Sequence, residues 1–252
     1  MRLRGAVVLV AAVLAYPGAA GATAVIALRT ADAVFVAADT RGHTTGPGPG
    51  DPDWRTCKIV SSGRMVIAFA GLTSIPAMKF STRELLQRVL GPEMSFPERV
   101  RTLDQVMLSV LPKIVDHAVK VSPGYAQKLE ASGGEVMAVL AAGVDRGVPQ
   151  WVARNYFRRT VRGAIRYQAV MGQCGADCRP PGIALLGGTP GLRKALQETK
   201  ADTLAQDWRA QARHLISLAA DESPDTIALP ITALRVDADG VHWLEEQPEC
   251  RP

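Results

Sequence analysis

The chain has 252 residues, 47% apolar and 21% charged. That is enough apolar content for a core and too little charge for wholesale disorder or charged low-complexity tails. No apolar run reaches the roughly 18–20 residues that a spanning helix needs, which argues against a polytopic membrane protein. The 29 Lys and Arg against 24 Asp and Glu are compatible with an anionic partner but do not call for nucleic acid.

In chain order, Met1 to Arg4 carries two positive charges and Gly5 to Ala15 is unbroken apolar sequence. Tyr16-Pro17-Gly18 then breaks the helix, and Ala19-Ala20-Gly21-Ala22 follows. A positive end, a short apolar middle, a breaker and a small-x-small site describe a secretory signal peptide over 1–22, with a single domain over 23–252. Cleavage fits after Ala20 or after Ala22. The Ala20-Gly21-Ala22 site is the better of the two, and it exposes Thr23. The mature form would be periplasmic or secreted, without a membrane anchor. It would keep 27 basic against 24 acidic residues.

Ala24 to Arg29 and Ala33 to Asp39 read as strands covered on both faces. A Gly/Pro-rich loop follows over 42–53. Lys58 to Ser62 and Met65 to Ala70 form a second hairpin. Helices are expected over Ile75 to Leu90 and Glu98 to Val121, with Pro97 suited to a helix start and Pro112 a source of a kink. Glu135 to Gly143 and Val148 to Arg154 pair as strands. Asn155 to Arg179 is Arg-rich and poorly patterned. A strand at Ile183 to Leu186 ends in Gly187-Gly188-Thr189. Helices over Gly191 to Thr199 and Thr203 to Asp221 precede strands at Ile227 to Val236 and Val241 to Glu245. This order of strands and helix pairs predicts an α+β sandwich in which helices cover two packed sheets.

The cysteines are Cys57, Cys174, Cys178 and Cys250. Export favours disulfides: Cys174 with Cys178 in a Gly-rich loop, then Cys57 with Cys250. A metal site is the rival reading, but no His lies near the Cys174/Cys178 pair. His43, His117, His214 and His242 form no His-Glu-x-x-His pattern, and no metal or cofactor is implied.

Three residues carry the chemistry. Thr23 and Asp39 lie equidistant from Ala31, so an antiparallel hairpin is expected to set them side by side. The same logic puts Lys58 and Gly71 at the open end of the second hairpin. If the hairpins are neighbours in one sheet, Thr23, Asp39 and Lys58 converge. A free Thr23 α-amine, with a reference pKa near 7.7–8.0, can take the proton of its own hydroxyl. Lys58 would favour the nucleophilic form, Asp39 would hold Lys58, and the Gly71 N–H can stabilise an oxyanion.

Thr23-Ala24-Val25-Ile26-Ala27, Val34-Phe35-Val36-Ala37-Ala38-Asp39-Thr40-Arg41, Lys58-Ile59 and Ala70-Gly71 resemble catalytic β-type proteasome subunits and their bacterial relatives. Gly187-Gly188-Thr189 resembles the family's later Gly-Ser-Gly element, with Thr189 in place of a supporting Ser. Asp221 and Ser223 offer the residue types of its Asp-x-x-Ser-Gly element at a different spacing. The resemblance implies a four-layer αββα N-terminal nucleophile hydrolase. Thr23 would be the nucleophile, Asp39 and Lys58 its support, and Arg41, Thr189, Asp221 and Ser223 further site residues. The implied partner is a peptide or small amide substrate, with a homo-oligomer as one form of the protein.

Two other classes stay open. One is an inactive structural or assembly subunit of the same fold. The other is a binding protein for anionic ligands using Arg154, Arg158, Arg159, Arg162 and Arg166, with Tyr156, Phe157 and Tyr167 interleaved.

Overall fold

Strand periodicity and turn chemistry generate twelve strands and six helices among the described residues. In chain order the strands are β1 (Ala24–Arg29), β2 (Val34–Asp39), β3 (Ile59–Ser62), β4 (Met65–Gly71), β5 (Ser74–Ile75), β6 (Phe80–Ser81), β7 (Glu135–Asp145), β8 (Val148–Val161), β9 (Ala164–Cys174), β10 (Gly182–Gly187), β11 (Ile231–Asp237) and β12 (Gly240–Glu245). The helices are α1 (Thr82–Val89), α2 (Phe96–Val121), α3 (Pro123–Ala131), α4 (Pro190–Glu198), α5 (Ala201–Gln206) and α6 (Trp208–Glu222). The computed structural model describes residues 23–42, 55–72, 74–75, 78–91, 93–178 and 180–250. The expected signal peptide and nearly all of the loop at 42–53 lie outside them.

Two antiparallel five-stranded sheets have the orders β10-β1-β2-β11-β12 and β3-β4-β7-β8-β9. Alternation sends Ala24, Ile26 and Leu28 of β1 to the outer face, where they meet Leu192, Leu204, Trp208 and Leu215 of α4, α5 and α6. Val25 and Ala27 point the other way, into a layer with Val36, Ala38, Ala68, Ala70, Ala138, Ala142 and Ala153. Beyond the second sheet, Leu103, Met107, Leu111 and Ile114 of α2 cover Ile67, Phe69 and Val139. The architecture is the αββα sandwich. Its central layer is rich in Ala.

Local chemistry moved several boundaries. The helix expected from Ile75 begins at Thr82. A following proline disfavours helical backbone at Ile75, and the Ser81 hydroxyl accepts the Glu84 amide as a cap. Helix α3 was not expected, although Ser122 caps it and Pro123 opens it. Helix α2 continues through Pro112 as one element. The stretch 203–221 is divided at Asp207, whose carboxylate accepts the Ala210 amide and starts α6. Strand β11 begins after Pro230 rather than at Ile227, because proline gives the ladder no donor.

The largest correction concerns 155–179. Most of it is the long β8–β9 hairpin, turned at Arg162-Gly163 with φ of 52° and 78°, the positive pair of a type I′ turn. Its charges are partly fixed by α2. Arg154 and the Tyr156 hydroxyl both bond Asp104, while Arg158 and the Tyr167 hydroxyl both bond Asp116.

The disulfides Cys57–Cys250 and Cys174–Cys178 are both formed. The first closes a sequence separation of 193 and the second only 4, so chain entropy assigns the larger stabilisation to the first. Replacing Cys57 and Cys250 together by Ala should lower unfolding stability by about 2–5 kcal/mol. The Cys174/Cys178 double variant should lose less. Urea unfolding of the oxidised proteins measures both.

Candidate active site

Asp39 ends β2 and is fully buried. Its carboxylate accepts the Ala24 amide at 2.8 Å and the Arg41 amide at 3.0 Å. Lys58 Nζ donates to both carboxylate oxygens, at 3.0 and 2.9 Å, and to Thr23 Oγ1 at 2.9 Å. Thr23 and Lys58 are each 2% exposed. Thr23, Asp39 and Lys58 therefore form one buried hydrogen-bonded cluster.

They meet by a route that differs from the expected one. The first turn holds four residues, with Arg29 level with Val34 and Val25 level with Ala38. Its centre lies between Ala31 and Asp32, so Ala24 rather than Thr23 stands level with Asp39. In the second hairpin Phe69 donates its amide to the Lys58 carbonyl, two residues short of Gly71. Nor do the hairpins share a sheet: β1 and β2 belong to one, β3 and β4 to the other. Face-to-face sheets lie about 10 Å apart, and the four-carbon stem of Lys58 lets its ammonium reach across from the end of one to the end of the other.

Burial dominates the electrostatics. It pushes the Asp39 carboxyl above its ordinary range, while Lys58 and the two amides pull the other way. It pushes the Lys58 ammonium below its ordinary value, against the attraction of Asp39. The result is a cation that holds its proton less tightly than a surface lysine and aims it at a hydroxyl oxygen.

The backbone of Thr23 is held separately. Gly188 donates its amide to the Thr23 carbonyl at 2.9 Å, and Gly187 is level with Ala24 across the β1–β10 ladder. Gly187 has φ +66°, and a Cβ there would run into the Thr23 carbonyl oxygen. Sequence reasoning singled out Thr189 in this segment and missed the two glycines as positioning residues. The signal was present as Gly-Gly directly after an apolar strand.

The remaining candidates are placed as follows. Arg41 contributes its amide to Asp39 and bridges Arg55. Gly71 is exposed at the end of β4 with φ +96°. Thr189 is buried and caps α4, its hydroxyl accepting the Leu192 amide. Asp221 is exposed in the last turn of α6. Ser223 is the cap of that helix, donating its amide to the Ala219 carbonyl and accepting the Thr226 and Ile227 amides. Ser223 therefore closes the end of α6. Among the described residues no group of three or more His, Cys, Asp or Glu side chains is gathered as metal ligands.

Comparison with known proteins shows the fold and no more. No family model matches the chain. A Gly-1 mutant of Anbu from Hyphomicrobium sp. strain MC1, a proteasome-like bacterial protein, superposes with a TM-score of 0.52 at 13% identity. That match covers 89% of this chain and 86% of the other. A second Anbu structure from the same strain gives 0.42 at 14% identity, over 90% and 89% of the two chains. The resemblance to β-type proteasome subunits is corrected accordingly: the chain is not placed in that family. The short matching segments are mostly small and branched apolar residues, which any doubly covered central strand requires.

One curated relative is 25% identical over 135 residues. It is the UDP-N-acetylglucosamine--N-acetylmuramyl-(pentapeptide) pyrophosphoryl-undecaprenol N-acetylglucosamine transferase of Erythrobacter litoralis (strain HTCC2594). The match covers 54% of this chain and spans only 32% of the relative's length.

Removing one member of a buried ion pair strands the other charge. Asp39→Asn should therefore cost about 3–5 kcal/mol of stability. Asp39→Asn with Lys58→Met should cost at least about 1 kcal/mol less than the sum of the single changes. Additive losses in a urea double-mutant cycle would show that the pair is not coupled.

Proposed function

We propose that this protein is an exported N-terminal threonine amidohydrolase, cleaving a peptide or other amide through an acyl-Thr23 ester. The observation that carries the reading is Lys58 Nζ held by Asp39 and placed 2.9 Å from Thr23 Oγ1. Cleavage after Ala22 supplies the second requirement, a free α-amine on the same residue. That amine takes the hydroxyl proton, directly or through a water, as Oγ1 attacks the substrate carbonyl. The Lys58 ammonium stabilises negative charge developing on Oγ1, and Gly71 offers its N–H to the oxyanion. As the carbon–nitrogen bond breaks, the α-ammonium returns the proton to the leaving amine. Water then hydrolyses the ester, with the α-amine again acting as base.

One feature fits export: the paired cysteines suit an oxidising compartment. Signal peptidase would then both release the protein and create its base.

Mature Thr23→Ala protein should stay folded, with its stability lowered by about 1–3 kcal/mol for the lost hydrogen bond to Lys58, and lose all turnover of fluorogenic peptide amides. Turnover by that variant would refute the mechanism. In the parent, kcat/KM should rise with pH as the amine becomes neutral. It should level off at or below about pH 8, the ordinary range of an α-amine, since a nearby ammonium favours the neutral amine.

A further inference from the structure

Lys58 is level with Phe69, Phe69 with Val139, and Val139 with Arg154 of β8. Past that row, β7 ends its pairing at Glu135, level with Phe157, while β8 and β9 continue together to their turn. The hairpin end, residues 158–167, thus projects beyond the same end of the sandwich that holds Lys58 and Thr23. It contains Arg158, Arg159, Arg162 and Arg166 and no acidic residue.

Arg158 is committed to Asp116 on α2. Among the described residues, the other three make no ion pair with a carboxylate. Arg159 stands directly opposite Arg166 across the ladder, an arrangement of like charges that costs stability unless an anion sits between them. The Arg159 guanidinium lies 4.7 Å from the centre of the buried Phe157 ring, which fixes its direction. Trp151 and Ala153 of β8 pack into the layer between the sheets. Alternation carries Phe157, Arg159 and Val161 along that same face, past the end of the core at the end of the sandwich where Thr23 lies. Val161 is exposed on this same face.

We propose that the end of the β8–β9 hairpin is a substrate-recruiting arm that binds acidic peptides and presents them to Thr23. This rests on the hydrolase reading for its chemistry and on the hairpin alone for its selectivity. Three strand spacings and five residues along β8 put Arg159 about 20 Å from Lys58, a span that roughly six extended residues cover. The arm therefore reads carboxylates several residues from the scissile bond, with an apolar side chain against Val161 on the same face. A membrane surface is the less favoured occupant, because Arg159 and Arg166 lie on the strand face that continues from the layer between the sheets rather than on the outer face.

The test uses mature Thr23→Ala protein and two labelled peptides of equal length, one Glu-rich and one with Gln in place of Glu, read by fluorescence anisotropy. The Glu peptide should bind about tenfold more tightly at low ionic strength. The difference should close near 0.5 M salt, where screening is strong, roughly. The combined Arg159→Glu, Arg162→Glu and Arg166→Glu variant should abolish it without moving the urea midpoint. Equal affinity for the two peptides overturns the proposal, as does a preference that survives the triple change. Arginine-dependent binding to phosphatidylglycerol vesicles without peptide preference also overturns it, making the arm a membrane contact. Binding requires no turnover, so acidic-peptide selectivity in a parent protein that hydrolyses nothing would count against the hydrolase reading alone.

Discussion

Moving a lysine and an aspartate out of water costs several kcal/mol per ion, recovered only when geometry and hydrogen bonds are good on both sides. Asp39 and Lys58 meet that condition with two backbone amides on the carboxylate and a threonine hydroxyl on the ammonium. Much of the surrounding structure can be understood as what holds this pair in place. An Ala-rich layer lies between the sheets that the Lys58 side chain joins. The Cys57–Cys250 bridge anchors the residue immediately before Lys58, and Thr232 of β11 lies 3.4 Å from the Cys250 sulfur. On the other side, Gly188 fixes the Thr23 carbonyl. Thr23 is thus held by its main chain from one sheet and touched at its hydroxyl by a cation from the other.

How much of this could be read from sequence depended on range. Runs such as Ala24 to Leu28 declare central strands because every position is apolar, and the layered architecture followed from the order of such runs. The meeting of Thr23, Asp39 and Lys58 was also legible, but through an argument with two faults. Counting from Ala31 missed the four-residue turn and displaced the register by one. Placing both hairpins in one sheet missed that the contact crosses between sheets. The convergence survived because Lys58 is long and the three residues end their strands at the same end of the sandwich. Packing of one sheet on another leaves no short-range trace in sequence, so that part could not be derived.

Other misses have local causes. The β8–β9 hairpin looked unpatterned because Arg154 and Arg158 stand where a helix-facing strand would ordinarily be apolar. Their partners Asp104 and Asp116 lie one helix away, out of reach of any periodicity argument. Arg162-Gly163 did carry a turn signal within the sequence. Asp221 and Ser223 matched the family element by residue type; in the fold Asp221 is exposed in the last turn of α6 and Ser223 is the cap of that helix. Likeness of fold at 13% identity carries architecture without chemistry, so the functional reading rests on side-chain geometry. Thr23 enters that geometry through its hydroxyl, and a cut after Ala22 is what would add its amine.

The most direct test of that account is the intact mass of the exported protein before and after treatment with a threonine-directed β-lactone. The account predicts a chain beginning at Thr23 with both disulfides closed, gaining one adduct that peptide mapping assigns to Thr23. A mature chain that begins elsewhere, or one beginning at Thr23 that takes no label there, would contradict it.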